Sequence, residues 1–258
     1  MQSAIGLAAL TVLELPPPEQ VMVAAQAGYD CVGLRLIPVP GQVLPLFDER
    51  ETALRLADTG LRVLDVEVFR LEQGTDVRVF EPAVAAAARL GATQLLTHGA
   101  DAEEARLAEL LGRFCELAAR YGLAANIEPM PWVATSTVAQ AKRLVAACGR
   151  ANAAVLVDPI HFFRADNRFE DLAGARMNYL QFCDAAGPRP DDERELIRQA
   201  RQDRRLPGEG DLDLAGLLRA LPAGLPMTLE IPLARPMAPL ERARRALEAT
   251  RRFLSGAS

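Results

Sequence analysis

Apolar residues along the chain gather into short runs that return at a regular interval. The runs are Ser3–Leu7, Cys31–Arg35, Leu61–Val68, Thr93–Thr97, Leu123–Ile127, Ala153–Val157, Met177–Phe182 and Pro226–Ile231. They are near-continuous rather than alternating, the pattern of strands buried on both faces and therefore paired in parallel. Their starts lie roughly thirty residues apart, room for one strand, one helix and two loops. Two intervals break the beat, a short one before Met177 and a long one after it.

Between the runs, apolar positions recur at three- and four-residue steps. The clearest case begins at Asp101, where Leu107, Leu110, Leu111, Phe114, Leu117, Ala118 and Tyr121 share one helical face. Asp101 suits the N-cap, Glu103 and Glu104 the positive end of the dipole, and Gly122 the C-terminal cap. The same pattern predicts helices over Pro18–Ala27, Asp48–Thr59, Asp76–Leu90, Ser136–Cys148, Leu212–Leu221 and Pro239–Leu254, with a shorter one at Arg168–Gly174. Eight buried strands alternating with helices predict an α/β chain folded as a single-domain (β/α)8 TIM barrel over residues 1–258. The rival, a doubly wound open sheet, usually opens with a glycine-rich turn, and the chain has neither GxGxxG nor GxxxxGK[ST].

Composition narrows the partners. Half of the 258 residues are hydrophobic and 24% charged, the balance of a globular protein able to bury its core without staples. A net charge of −5, spread along the chain, argues against nucleic acid or an anionic membrane as the main partner. Cys31, Cys115, Cys148 and Cys183 form no CxxC pair and are expected as buried, reduced thiols in a cytoplasmic protein. The opening MQSAIGLAALTVLELPPP has no basic region before its apolar run, so neither a signal peptide nor a membrane span is expected.

In a barrel, chemistry gathers at the carboxyl ends of the strands. Strand 5 ends in NIEPMPW with Glu128, and strand 6 in VLVDPIHFF with Asp158 and His161. Strand 7, YLQFCDA, carries Gln181 and then Asp184, and strand 8, MTLEIP, carries Glu230. Glu67 on strand 3 and His98 on strand 4 stand at the same level. Taken singly, each acid reads as a helix cap or loop acid, and Gln181 as an amide bonded to backbone. Taken together, three carboxylates and an amide on four successive strands would repel one another in a low-dielectric mouth. A divalent cation resolves that conflict, and an oxygen-rich set suits Mg²⁺ or Mn²⁺. The charged excursion from Asp184 to Asp211 reads either as a solvated surface helix or as a rim that places Arg204 or Arg205 over a substrate. Trp132 and Phe162–Phe163 are candidate pocket walls, with plain packing as the alternative.

Over essentially its whole length the chain resembles the xylose isomerase-like barrels, a group of sugar isomerases and epimerases that includes some dehydratases and endonuclease IV. The resemblance rests on GYDCVGLR, NIEPMPW, VDPIHFF, YLQFCDA, RRLPGEGDLDL and LEIP, and above all on D-x-x-H at strand 6 with a glutamate on strands 5 and 8. It implies one divalent metal ion held by Glu128, Asp158, Gln181 and Glu230. The family usually places histidine where this chain has Gln181, a change that favours Mn, Mg or Co over Zn. It also implies that His161 and Arg205 touch substrate. Glu67 and His98, by their strand-end positions, are further substrate-binding candidates, with a structural strand-end role as the alternative.

The implied activity is isomerisation or epimerisation of a small keto-sugar or hydroxy-carbonyl compound. One of Glu128 and Glu230 removes a proton, an enediolate forms, and the other returns the proton. A metal-dependent dehydratase of the dehydroshikimate type is the alternative, and a non-catalytic small-molecule-binding barrel a second. An endonuclease-like metal cluster is excluded, because two histidines cannot build it. A homo-oligomer stays open, as family members are often dimers or tetramers.

Overall fold

The computed structural model describes residues 3–39 and 41–256. Its strands are β1 (Ile5–Leu7), β2 (Cys31–Arg35), β3 (Arg62–Leu71), β4 (Gln94–Gly99), β5 (Ala124–Glu128), β6 (Ala153–Val155), β7 (Leu180–Phe182) and β8 (Met227–Leu229). They form one parallel sheet in the order β6-β5-β4-β3-β2-β1-β8-β7. A parallel bridge between Val157 and Leu180 joins the two ends, and Gln181 N donates to Val157 O at 3.1 Å. The sheet is thereby closed into the barrel the sequence predicts.

The helices are α1 (Pro17–Ala27), α2 (Glu49–Thr59), α3 (Glu81–Arg89), α4 (Glu104–Ala119), α5 (Val138–Ala147), α6 (Pro159–Arg164), α7 (Glu193–Gln202), α8 (Leu214–Ala220) and α9 (Pro239–Gly256). Local chemistry sets several of their ends. Proline in the first turn starts α1, and Gly28, at φ 88°, ends it in the left-handed region. Thr137 and Gln140 form a reciprocal capping box on α5. At α4 the N-cap is Glu103, which accepts from the amides of Ala105 and Arg106. Asp101, expected in that role, instead accepts from Glu103 N and pairs with Arg106.

Two cores result. The larger lies between strands and helices, and includes Leu34, Val66, Leu111 and Phe114. A smaller one joins Val68 of β3 and Leu96 of β4 with Leu156, just after β6, and Tyr179, just before β7. Beside it, Asp65 accepts from Tyr179 Oη at 3.4 Å. Asp65 fits there because Gly33 faces it: a Cβ at Gly33 would lie 2.6 Å from Asp65 Oδ1. All four cysteines are free thiols; Cys148, expected to be buried, ends α5 and is partly exposed. No helix among the described residues is long and apolar enough to cross a membrane.

Candidate active site at the barrel mouth

The carboxyl ends of β3 to β8 enclose a cavity of about 220 Å³. Glu67, His98, Glu128, His161, Arg204 and Glu230 all line it. Glu128 is the last residue of β5, and Asp158 follows β6. Pro159 does not merely stop the strand. It opens α6, with Asp158 as the N-cap accepting from Ile160 N at 3.0 Å. That turn carries His161 inward, where Trp132 meets its ring edge to face at 4.9 Å between centroids. Phe162 and Phe163 turn away and pack with Phe169.

Ligating atoms of Glu128, Asp158 and His161 all lie within 4.8 Å of one another, and all three residues are buried. His161 Nε2 stands 3.7 Å from Glu128 Oε1 and 3.9 Å from Asp158 Oδ2. Glu128 Oε1 and His161 Nδ1 have no hydrogen-bond partner, while Glu128 Oε2 meets His98 Nε2 at 2.8 Å. Across the mouth, Gln181 Nε2 donates to Glu230 Oε1 at 3.0 Å and to Glu67 Oε2 at 3.2 Å, leaving Gln181 Oε1 without a partner. Arg35 caps Glu67 at 2.8 Å.

The arginine inside the mouth is Arg204. Its Nη1 reaches Asp158 and its Nη2 reaches Glu230, both at 2.5 Å, and its Nε donates to Ala200 O. Arg205, the residue singled out by its place before Pro-Gly, has a side chain half exposed and 3.8 Å from Asp203. The reason is strand parity. Arg205 forms an antiparallel bridge with Asp184, and neighbouring residues of an extended segment face opposite ways. Asp184 fixes that bridge. Its buried carboxylate accepts from the amides of Ala185, Gly208, Gly210 and Leu212, and a Cβ at Gly210 would lie 2.3 Å from its Oδ1. The motif's second arginine was visible in the sequence; the alternation that selects the first was not.

Burial separates the charges. It pushes the Glu128 carboxyl well above the usual range, and Asp158 adds to the push. Glu230 is raised by burial too, against the pull of Arg204. Burial also acts on Asp158, but the Arg204 guanidinium and the Ile160 amide outweigh it and hold that carboxyl low. Both imidazoles are driven by burial down to about 3 and stand neutral. Asp158 is therefore firmly ionised, Glu128 and Glu230 are biased toward the proton, and both imidazoles are neutral.

The chain belongs to the xylose isomerase-like TIM barrel family: the family pattern matches residues 21–253. Among solved structures it is similar to an IolI protein with a bound zinc atom, at 18% identity and a TM-score of 0.81, covering 99% of each chain. It is similar to a D-allulose 3-epimerase from Methylomonas sp., at 18% identity and a TM-score of 0.74, covering 98% of each chain. It also resembles a xylose isomerase-like TIM barrel/4-hydroxyphenylpyruvate dioxygenase fusion protein, at 22% identity and a TM-score of 0.81. The match covers 96% of this chain but spans only 42% of the fusion protein. No functionally curated protein matches the sequence.

Proposed function

We propose that the chain is a divalent-metal-dependent isomerase or epimerase of a small keto-sugar or hydroxy-carbonyl compound. The observation that carries the reading is the pair Glu128 and Glu230, on separate strands of one small cavity, both biased toward the proton. Two carboxyls held above their ordinary range on one bound substrate can take and return a proton, as an acid–base pair must.

The donor set fits a metal ion. Two carboxylates and an imidazole converge, and Glu128 Oε1 has no hydrogen-bond partner among the described residues. Glu128, Asp158 and His161 would hold the ion. Gln181 and Glu230, the other donors assigned from the sequence, would exchange their present hydrogen bonds to join it. Bound there, the ion supplies polarisation of the substrate carbonyl and neutralises negative charge as it develops.

The chain's own residues do the rest. Either Glu128 or Glu230 removes the proton from the carbon beside the carbonyl, giving an enediolate, and the other returns one. Arg204 carries a permanent positive charge into the same space, available to a substrate hydroxyl or enediolate oxygen. Neutral His98 can donate or accept a hydrogen bond to a hydroxyl without carrying a charge of its own. Trp132 and Met130 give the cavity apolar walls that limit water. The same geometry serves a dehydratase if the enediolate expels a β-hydroxyl.

The test is solvent exchange. Protein purified without added metal or chelator is assayed for Mn, Mg, Co and Zn, then incubated with ketohexoses in D₂O and followed by proton NMR. Near-stoichiometric metal, diminished in Glu128→Gln, with deuterium entering beside the carbonyl, is the expected result. New enone absorbance from a cyclic hydroxy-ketone would move the dehydratase ahead. Ligand binding with neither metal nor exchange would leave a binding barrel.

A further inference from the structure

The cavity is chemically two-sided. Its inner wall holds Glu67, Glu128 and Glu230, while Arg35, Arg70 and Arg201 line it as well. The acids are answered within the protein: Arg35 stands on Glu67, Arg204 on Asp158 and Glu230, and His98 on Glu128. The arginines are not all answered in return. Arg70 leans on Glu72, which does not line the cavity, in a pair that is largely exposed. Arg35 keeps a buried Nε with no partner.

Arg201, at the end of α7, has no hydrogen bond or ion pair among the described residues. The charged groups that act on it are Arg35 and Arg70, both of its own sign. Arg201 thus brings to the opening a guanidinium that no acid among the described residues answers, beside Arg70, whose partner lies outside the cavity, and a neutral polyol does not use such a positive field. An anionic oxygen group does use it, through charge-assisted and bidentate hydrogen bonds.

We propose that the outer part of this cavity seats an anionic group on the substrate, a carboxylate or a phosphate, with Arg201 as its main cation and Arg70 and Arg35 in support. The inference rests on the isomerase reading only in placing the reacting carbons beside Glu128 and Glu230. It narrows the substrate class to an acidic or phosphorylated hydroxy-ketone. The cavity volume, about 220 Å³, is below the ~300 Å³ at which pockets for drug-sized ligands begin, so the molecule is small.

Three ketohexoses that differ only at C6 test this: D-fructose, D-fructuronate and D-fructose 6-phosphate. Binding is read from the fluorescence of Trp132, the single tryptophan, which lines the cavity. At least one anionic ketose should bind about tenfold more tightly than fructose, and the tighter one identifies carboxylate or phosphate. Arg201→Gln should erase that advantage and leave fructose unchanged, with Arg70→Gln reducing it in part. Arg201 is exposed and makes no ion pair among the described residues, so its variant should melt with the wild type, which circular dichroism checks.

Equal affinity for all three sugars overturns the proposal. So does an anionic advantage that survives Arg201→Gln, or a failure of both anions to bind at millimolar concentration. Running the set in D₂O separates this idea from the isomerase reading. Exchange on fructose without any anionic preference removes only the anion seat. An anionic preference lost in Arg201→Gln, without exchange on any ketose, removes only the isomerase.

Discussion

The β5–β6 side of the mouth and the β7–β8 side hold acids of the same kind in opposite circumstances. On the first side Glu128 has an oxygen with no partner, next to Asp158 and His161. On the second side both Glu230 oxygens are engaged, one by Gln181 and one by Arg204. A glutamate at a strand end is thus kept free or committed by the donors its neighbours supply. The free side should govern chemistry and the committed side should govern stability.

Glu128→Gln probes the free side and should have the largest effect. It should lower the rate of solvent exchange by about 10²–10⁴, the usual worth of a general acid–base group, while the urea midpoint barely moves. Loss of stability rather than exchange would reverse the assignment of the two sides.

Arg204→Met probes the committed side. It leaves Asp158 and Glu230 buried without their shared cation, which should cost roughly 3–5 kcal/mol in urea unfolding. Adding Mn²⁺ should recover part of the loss if an ion takes the vacated place.

Asp65 gives a smaller and pH-dependent test. Burial first, and then Glu67, raise its carboxyl well above its ordinary value of 3.8. The native state therefore holds a proton that the unfolded chain releases, so this group's contribution to stability falls as pH rises from about 4. Asp65→Asn removes that term, and its stability relative to wild type should improve from pH 4.5 to pH 8 in parallel denaturation curves.

The smallest effect is an expected constancy. The two histidines, held neutral by burial with values near 3, should show no imidazole titration by NMR between pH 8 and pH 5. A midpoint near 6.5 in either ring would place it in contact with solvent.

Much of this was legible in the residues. Apolar runs located every strand, and β2 has the bounds its run predicts. β3 continues through Phe69 to Leu71, because its end is paired to β4. The helix at Asp76–Leu90 divides into a 3-10 turn at Val77–Phe80 and α3. The helix α6 was hidden because Asp-Pro reads as a strand exit, although aspartate as N-cap and proline in the first turn also begin a helix. The acids at the mouth announced themselves by recurring on successive strands. Which of them would be free did not, since that depends on Arg204 and Gln181 arriving from across the barrel.

Asp184 carries a consequence beyond holding one loop. With four amides from both ends of the α7 excursion gathered on one carboxylate, and Arg204 N fixed to Pro232 O, the intervening segment is tied off from the strands. Substitutions at exposed positions between Gly187 and Asp203 can reshape the rim, Arg201 included, while Arg204 keeps its anchors at Ala200 O and Pro232 O. The barrel thus has a part that can be exchanged and a part that must stay, and selectivity can drift in such a chain while its acid–base chemistry does not.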